Sequence, residues 1–211
     1  MATTETQKES GMSNAARIVT TLDSLLTKEA TLILYGRASI ALGFENPPAA
    51  TLHSLDVDAL LTTSHESSFK EVPEFWTAQE KLNEVLQDEG LYMTHIFPAD
   101  MVFLRRQWES EILPVLRPPL RHLRLFRPAT LDLILTKMMR GNDEQDMQDE
   151  DFIIRHDKVT VQQIQDAFRD AVIPDCVELR DAYERAKPTV LALANKAAAD
   201  GFSLSKFSAS K

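Results

Sequence analysis

The segment Thr31-Leu32-Ile33-Leu34-Tyr35-Gly36 decides the fold of this chain. Its first five residues are apolar, aromatic or β-branched, which is typical of a buried β-strand, and a glycine ends the run. Residues 38–44 have the composition of a short helix. The segment therefore predicts a strand, a tight turn at Gly36 and a helix, whose N-terminal N–H groups and dipole suit a phosphate. Ser39 lies one turn into that helix, although an ordinary strand-to-helix turn has the same pattern.

A second strand is predicted at residues 55–61, Leu-Asp-Val-Asp-Ala-Leu-Leu. Residues at i and i+2 of a strand point to the same face, with Cα atoms about 6.5 to 7 Å apart. Asp56 and Asp58 could thus both reach one pair of divalent metal ions. Aspartate is a poor strand former, so two of them in an apolar strand need an explanation. The alternative is an exposed strand end that merely favours solubility, because an Asp-x-Asp pair is common.

Outward from these two strands, the pattern predicts an α/β (α+β) fold over residues 14–127. We expect helices at residues 15–27 and 72–89, the second ending at Gly90, and strands at residues 91–97 and 120–126. Residues 101–116 are amphipathic and fit either class. The prediction is a small, mixed, twisted sheet of about four to five strands with flanking helices.

Residues 128–200 are predicted to form a C-terminal helical region that packs on this core. Thr130 is a candidate N-cap, Asn142 and Gln145 resemble a capping box, and Pro188 is expected to interrupt the last helix. The polar ends, residues 1–13 and 201–211, are expected to be disordered.

The charge distribution is uneven. The net charge is −9, which argues against indiscriminate binding of nucleic acid, and no DNA partner is expected. Between Arg105 and Arg140, however, eight basic residues face three acidic ones, so this segment is +5 and the remainder −14. A local positive surface suits a polyanion such as a triphosphate or an RNA end. Scattered, solvated arginines are the alternative.

Other features exclude several classes of protein. The sequence has no apolar stretch of the roughly 18 residues that span a membrane and no secretory signal, so a cytoplasmic protein without a membrane partner is expected. The five histidines and the single Cys176 lack the spacing of zinc ligands. Trp76 and Trp108 lie among apolar helical positions and are predicted to be core residues. The acidic residues after Asn142 are predicted to serve the helix dipole and solvation, with Asp146 and Asp149 kept as site candidates.

Four motifs in order resemble a known family. They are Leu-Tyr-Gly-x-Ala-x-x-Ala-Leu-Gly (34–43), Asp-x-Asp (56–58), Pro-x-x-Leu-x-x-x-x-Thr-Lys-Met (128–138) with Arg140, and Asp-x-x-Asp (146–149). Over residues 32–154 the chain resembles the minimal nucleotidyltransferases of the AbiEii toxin and DUF6036 type.

The resemblance implies a polymerase-β-like fold that transfers a nucleoside monophosphate from a nucleoside triphosphate (NTP) to an acceptor. Asp56 and Asp58 would hold one or two Mg²⁺ ions. Gly36, Arg37 and Ser39 would contact the triphosphate, Lys137 would neutralise it with Arg140 nearby, and Asp146 or Asp149 would complete the site. Relatives in toxin–antitoxin systems modify RNA ends or bind GTP. A tRNA-like or protein acceptor and an antitoxin partner are therefore expected.

The chain also departs from the family pattern in three places. Arg37 stands where a second small residue is usual, and His53-Ser54 replaces a basic residue before the acidic pair. The strand at residues 120–126 carries no third carboxylate, for which Asp100 is a substitute candidate. An inactive domain of the same fold that binds a nucleotide or a partner thus stays open. So does a purely structural protein in which the acidic pair is incidental.

Overall fold

The protein was analysed as a computed structural model that describes residues 12–61 and 73–208. The predicted disorder of residues 1–11 and 209–211 lies outside these residues. The helices are α1 Asn14–Leu25, α2 Gly36–Gly43, α3 Ala49–Leu52, α4 Pro73–Leu86, α5 Thr130–Lys137, α6 Glu144–His156, α7 Val161–Asp170 and α8 Val177–Ser208. The strands are β1 Ala30–Tyr35, β2 Asp56–Leu61, β3 Tyr92–Pro98, β4 Leu104–Arg105, β5 Leu113–Val115, β6 Leu123–Arg127 and β7 Ala171–Val172.

Five of these strands form one mixed sheet in the order β3-β2-β1-β6-β5. The central strand β1 is antiparallel to β2 and parallel to β6, while β3 runs parallel to β2. The predicted fold class, a mixed sheet of about five strands with flanking helices and a helical C-terminal region, is confirmed. The pairing brings the C-terminal end of β1 beside the N-terminal end of β2, since Tyr35 lies opposite Asp58.

The two faces of the sheet are covered differently. One face buries Leu32, Leu34 and Val57 against α1 and α4. The other face packs Ile33 and Leu60 against the segment after β3. A separate apolar cluster holds α5 to α8 together and reaches α2 through Ile40. The helical region is therefore packed directly behind the turn at Gly36.

Several local predictions about the helical region are wrong. Ala129, not Thr130, precedes α5, and the Thr130 hydroxyl instead donates to Asp157. Asp143, not Asn142, caps α6 by accepting from the Asp146 N–H at 3.0 Å. In both cases a neighbouring residue with a suitable extended backbone occupies the cap position.

The last helix also differs from its prediction. α8 continues through Pro188 and past Gly201, where the tail was expected to begin. Proline removes one helical hydrogen bond. Tyr183 and Ala186 before it and Val190 and Ala194 after it are all buried, so packing on both sides offsets the loss.

The two tryptophans have different environments. Trp108 is 7% exposed and belongs to the core, as predicted, whereas Trp76 on α4 is 40% exposed, contrary to the prediction. Residues 101–116, which fitted either class, contain two short strands separated by a 3-10 turn, Trp108–Glu111.

Candidate functional site

A cavity of about 340 Å³ lies where β1, β2, α5 and α6 meet. Seven of the predicted site residues line it: Gly36, Arg37, Asp56, Asp58, Lys137, Arg140 and Asp146. Tyr35, Ser54, Thr136, Met139 and Gln145 complete the lining. The structure thus brings the acidic pair of β2, the glycine turn and the basic residues after β6 to one cleft.

The turn at Gly36 depends on glycine. Its φ angle is +63°, in the left-handed region that side chains disfavour. A Cβ atom at this position would also lie 3.2 Å from Oδ2 of Asp58. The missing side chain therefore lets the start of α2 approach the acidic pair closely.

The acidic pair is held by hydroxyl groups. Ser54 Oγ donates to Oδ1 of Asp56 at 2.9 Å, and the hydroxyl of Thr94 donates to Oδ1 of Asp58. Burial raises the pKa of Asp58, and the neighbouring Asp56 adds to the effect, whereas the Thr94 bond and Lys137 oppose it. Burial and both carboxylates likewise raise the pKa of Tyr35. The sheet wall of the cavity is therefore a region of negative potential.

The opposite wall consists of ion pairs. Lys137 Nζ lies 3.1 Å from Oδ1 of Asp146 and 2.7 Å from Oδ2 of Asp149. Arg140 Nε lies 2.6 Å from Oδ2 of Asp146, and Arg37 Nε lies 3.2 Å from Oδ2 of Asp149. Asp146 and Asp149 are thus each shared by two basic side chains.

Two predicted phosphate-contacting residues have other partners. Ser39 is fully buried, and its Oγ donates to the Gly36 carbonyl oxygen at 2.7 Å, which steadies the turn. Arg37 lines the cavity but also donates through Nη1 to the Ala50 carbonyl oxygen at 3.3 Å. Asp149 is 1% exposed and acts through Lys137 and Arg37 rather than from the cavity lining.

Glu150 is a buried acid close to the ion pairs of Lys137, and the sequence interpretation missed it. The side chain is 1% exposed, and burial, together with Asp146, raises its pKa to about 8. Its Oε1 has no hydrogen-bond partner among the described residues. Its spacing of three and four from Ile153 and Ile154 would have placed it on the buried stripe of α6.

Asp100, the candidate for a third carboxylate, does not line the cavity. Asp100 is exposed and follows β3 at the end where Pro98 pairs with Leu61, opposite to the Asp56 end. On β3 the residue beside Asp58 is Thr94, a hydroxyl. Within residues 12–61 and 73–208, no group of three or more His, Cys, Asp or Glu side chains could hold a metal ion. The carboxylates available to a cation in the cavity are therefore chiefly Asp56 and Asp58.

Most of the positive charge between Arg105 and Arg140 is compensated by ion pairs in the folded protein. Arg105 pairs with Asp132, Arg106 with Asp170 and Arg124 with Glu29. Arg127 is buried, with its guanidinium 4.1 Å from the centre of the Phe44 ring. Together with the pairs of Lys137 and Arg140, ion pairs compensate five of the eight basic groups. The positive surface considered from the sequence is thus largely neutralised.

Comparisons with known proteins do not assign a family: no protein-family model, curated protein or solved structure matches the chain. In the part of the chain that the structure describes, none of the helices combines the length and the apolar character needed to cross a bilayer. The geometry of the cavity is therefore the main indication of function.

Proposed function

We propose that this chain binds an NTP with Mg²⁺ and transfers its nucleoside monophosphate to an acceptor hydroxyl. The observation that carries the proposal is the shared cavity, in which Asp56 and Asp58 face the Gly36 turn and Lys137 and Arg140 stand opposite. Phosphoryl-type transfer needs positioned cations and hydrogen-bond donors more than covalent catalysis.

The acidic pair fits a divalent cation. Mg²⁺ prefers carboxylate oxygens and is usually held by one or two carboxylates plus phosphate oxygens. Asp56 and Asp58 are adjacent, accept bonds from hydroxyls rather than from cations, and burial raises the pKa of Asp58. A bound cation would therefore relieve their repulsion. When bound, Mg²⁺ would supply charge neutralisation for the triphosphate.

The remaining roles belong to the protein. The backbone at the start of α2 would donate to phosphate oxygens, because the first N–H groups of a helix lack intrahelical partners. Lys137 is held at the cavity by Asp146 and Asp149 and would face the phosphates as a fixed charge. Arg140, whose side chain is 55% exposed, would reach the ligand from the rim.

A direct test uses α-labelled NTPs, Mg²⁺ and two acceptor pools, total tRNA and soluble protein. We expect transfer by the wild type that is lost with EDTA and in Asp56→Asn. The matched control is Asp100→Asn, which changes an exposed aspartate at the other end of the neighbouring strand. If the wild type binds NTP but labels neither pool, the proposed transfer is wrong.

The second candidate is a nucleotide-binding domain without transfer activity. Two observations favour it: Thr94 occupies the strand position beside Asp58, and Arg37 is engaged by Asp149. Calorimetry separates the candidates. NTP binding that persists in Asp58→Ala without metal supports the inactive domain, whereas binding that needs both Asp58 and Mg²⁺ supports the enzyme. An antitoxin partner follows only from the family resemblance, and a cytoplasmic location only from the sequence pattern; both stay predictions.

A further inference from the structure

A second groove lies at the edge of the sheet and is connected to the acidic pair through Thr94. It has a volume of about 460 Å³ and lies between α4 and the edge strand β3. Its lining comprises Trp76, Gln79, Glu80, Asn83, Tyr92, Met93 and Thr94. Trp76 and Tyr92 are 40% and 43% exposed, so two large aromatic side chains face solvent beside a carboxylate. Exposed aromatic faces next to a carboxylate are suited to a cationic group.

The side chain of Thr94 connects the groove to the acidic pair. Thr94 lines the groove, and its hydroxyl donates to Asp58 in the cavity. Tyr92 lies beside Asp56 in the register of β3 and β2. A molecule in this groove would therefore contact Thr94, whose hydroxyl is bonded to Asp58.

Side chains of α4 satisfy the backbone of β3 at the groove. Asn83 accepts from the Met93 N–H at 2.8 Å and donates to the Met93 carbonyl oxygen at 3.0 Å. Gln79 Nε2 donates to the Thr94 carbonyl oxygen at 2.6 Å. These contacts occupy the groups with which an added strand would pair, so the groove suits a side chain.

The charge around the groove disfavours a polyanion. Glu80 is the only charged side chain among the described residues that line the groove. On the same helix, Glu74 is paired with Lys28 and Glu84 with Lys81. Lys137 and Arg140 belong to the nucleotide cavity, where they are bonded to aspartates. RNA binding requires clustered cations that contact phosphates. The groove instead presents the negative charge of Glu80.

We infer that this groove is the acceptor subsite of the proposed transferase and that it takes a protein segment with a Lys or Arg beside a hydroxyl residue. The inference rests on the proposed function. The cationic side chain contacts Trp76, Tyr92 and Glu80, while the neighbouring Ser, Thr or Tyr hydroxyl reaches the acidic pair. This assignment favours protein over RNA as the acceptor.

The proposed transfer to the acceptor hydroxyl is balanced with the NTP as the only co-reactant. The acceptor hydroxyl oxygen forms a bond to the α-phosphorus, and the bond from that phosphorus to the oxygen bridging the β-phosphate breaks. Pyrophosphate leaves with that oxygen, and the hydroxyl proton passes to water. The products are the nucleotidylated protein side chain and pyrophosphate.

The test compares three acceptors under identical conditions with α-labelled NTPs and Mg²⁺. They are a peptide with Ser, Thr and Tyr between lysines, the same peptide with glutamate in place of lysine, and total tRNA. We expect label on the lysine peptide alone. Preferential labelling of tRNA or of the glutamate peptide would overturn the inference.

Two variants locate the effect in the groove. Glu80→Gln and Trp76→Ala should each lower kcat/KM for the lysine peptide roughly 3- to 30-fold, the range of one cation–π or charged contact. Glu84→Gln, which removes a carboxylate one turn further along α4 and outside the groove lining, should leave it unchanged. Equal effects of Glu80→Gln and Glu84→Gln would also contradict the subsite.

NTP binding distinguishes failure of the proposed transferase function from failure of the proposed acceptor subsite. Both groove variants should bind NTP with Mg²⁺ as the wild type does, since neither residue lines the nucleotide cavity. Absence of NTP binding by the folded wild type refutes the proposed function itself. Normal NTP binding with tRNA as the labelled acceptor refutes only the inference about the groove.

Discussion

The two walls of the nucleotide cavity use the same residue type in opposite ways. On the sheet wall, Asp56 and Asp58 accept hydrogen bonds from the hydroxyls of Ser54 and Thr94. On the helical wall, Asp146 and Asp149 are each bonded to two cations, with Lys137 shared between them. The first pair retains its negative potential, whereas the second pair is compensated within the protein.

The difference separates binding groups from structural groups. A buried carboxylate that is paired with cations stabilises its surroundings, and removal of a partner leaves an uncompensated charge. A carboxylate that is held by hydroxyls and lies near a like charge is poised for a cation from outside. We therefore expect mutations of the helical wall to affect folding most and mutations of the sheet wall to affect ligand chemistry most.

The largest effect is expected from Lys137→Met. The substitution leaves Asp146 and Asp149 without their common cation, and both carboxylates are at most 5% exposed. We expect the free energy of unfolding to fall by about 3 to 5 kcal/mol, the usual result of breaking a buried ion pair. Urea unfolding measures it. Lys81→Met, which removes an exposed i,i+3 pair with Glu84, should change it by less than about 0.5 kcal/mol.

Glu150→Gln tests the helical wall through pH. The pKa of Glu150 is raised from 4.5 to about 8, so the folded protein keeps a proton that the unfolded chain releases. Wild-type stability should therefore fall as pH rises from 4.5 to 8, by at most about 1.4 kcal/mol per pH unit. Glutamine removes this dependence. The stability difference between variant and wild type should grow by about 2 kcal/mol from pH 5 to pH 7.

Chemical unfolding at several pH values provides the readout. Taking the difference between variant and wild type cancels the titration of all other groups that both proteins share. A constant difference across this range would mean that Glu150 is ionised in the folded protein.

Asp58→Asn should separate chemistry from stability. We expect nucleotide transfer to fall at least about a hundredfold, as when a preorganised electrostatic group is lost. Because burial raises the pKa of Asp58, folding makes ionisation of this carboxyl less favourable than in the unfolded chain, and asparagine still accepts from Thr94. Unfolding free energy at pH 7 should consequently not decrease. A loss of stability as large as that of Lys137→Met would contradict the expectation that the sheet wall serves ligand chemistry and the helical wall serves folding.

The smallest effect is expected from Ser39→Ala. The Ser39 hydroxyl donates to the Gly36 carbonyl oxygen, so its removal should lower stability by about 1 kcal/mol. NTP affinity, measured by calorimetry, should change less than about threefold. A collapse of affinity at unchanged stability would show instead that this hydroxyl turns toward the phosphates, as the family resemblance implies.

Local sequence patterns predicted much of the sheet. Three local signals were enough: the apolar run of β1, the alternation in β2, and the glycines that follow β1 and precede β3. They placed the strands within about one to three residues of their positions in the structure. Helix ends were less predictable, as at Thr130 and Asn142, because adjacent polar residues compete for one cap. The Asp-x-Asp spacing indicated two carboxylates on one face of a strand, since alternation on a strand is a local property, and both residues line the cavity.

Residues whose role depends on distant partners could not be predicted in this way. Glu150 looked like one more solvated acid, and Trp76 looked like a core residue. Thr94 carries no signal of its own, yet it bonds Asp58 across neighbouring strands. The basic run after Arg105 looked like a charged surface, but its partners include Asp170 and Glu29, far away in the chain.

The sequence by itself determined the strand, the tight glycine turn and the paired aspartates, because each follows from backbone preferences within a few residues. Only the tertiary structure decided which carboxylates keep their charge available to a ligand. Arg37 and Asp149 are 112 residues apart in the chain and meet only when α6 packs beside α2. Compensation of a buried charge depends on such long-range contacts, because the Coulomb energy depends on distance in space and not on separation in sequence.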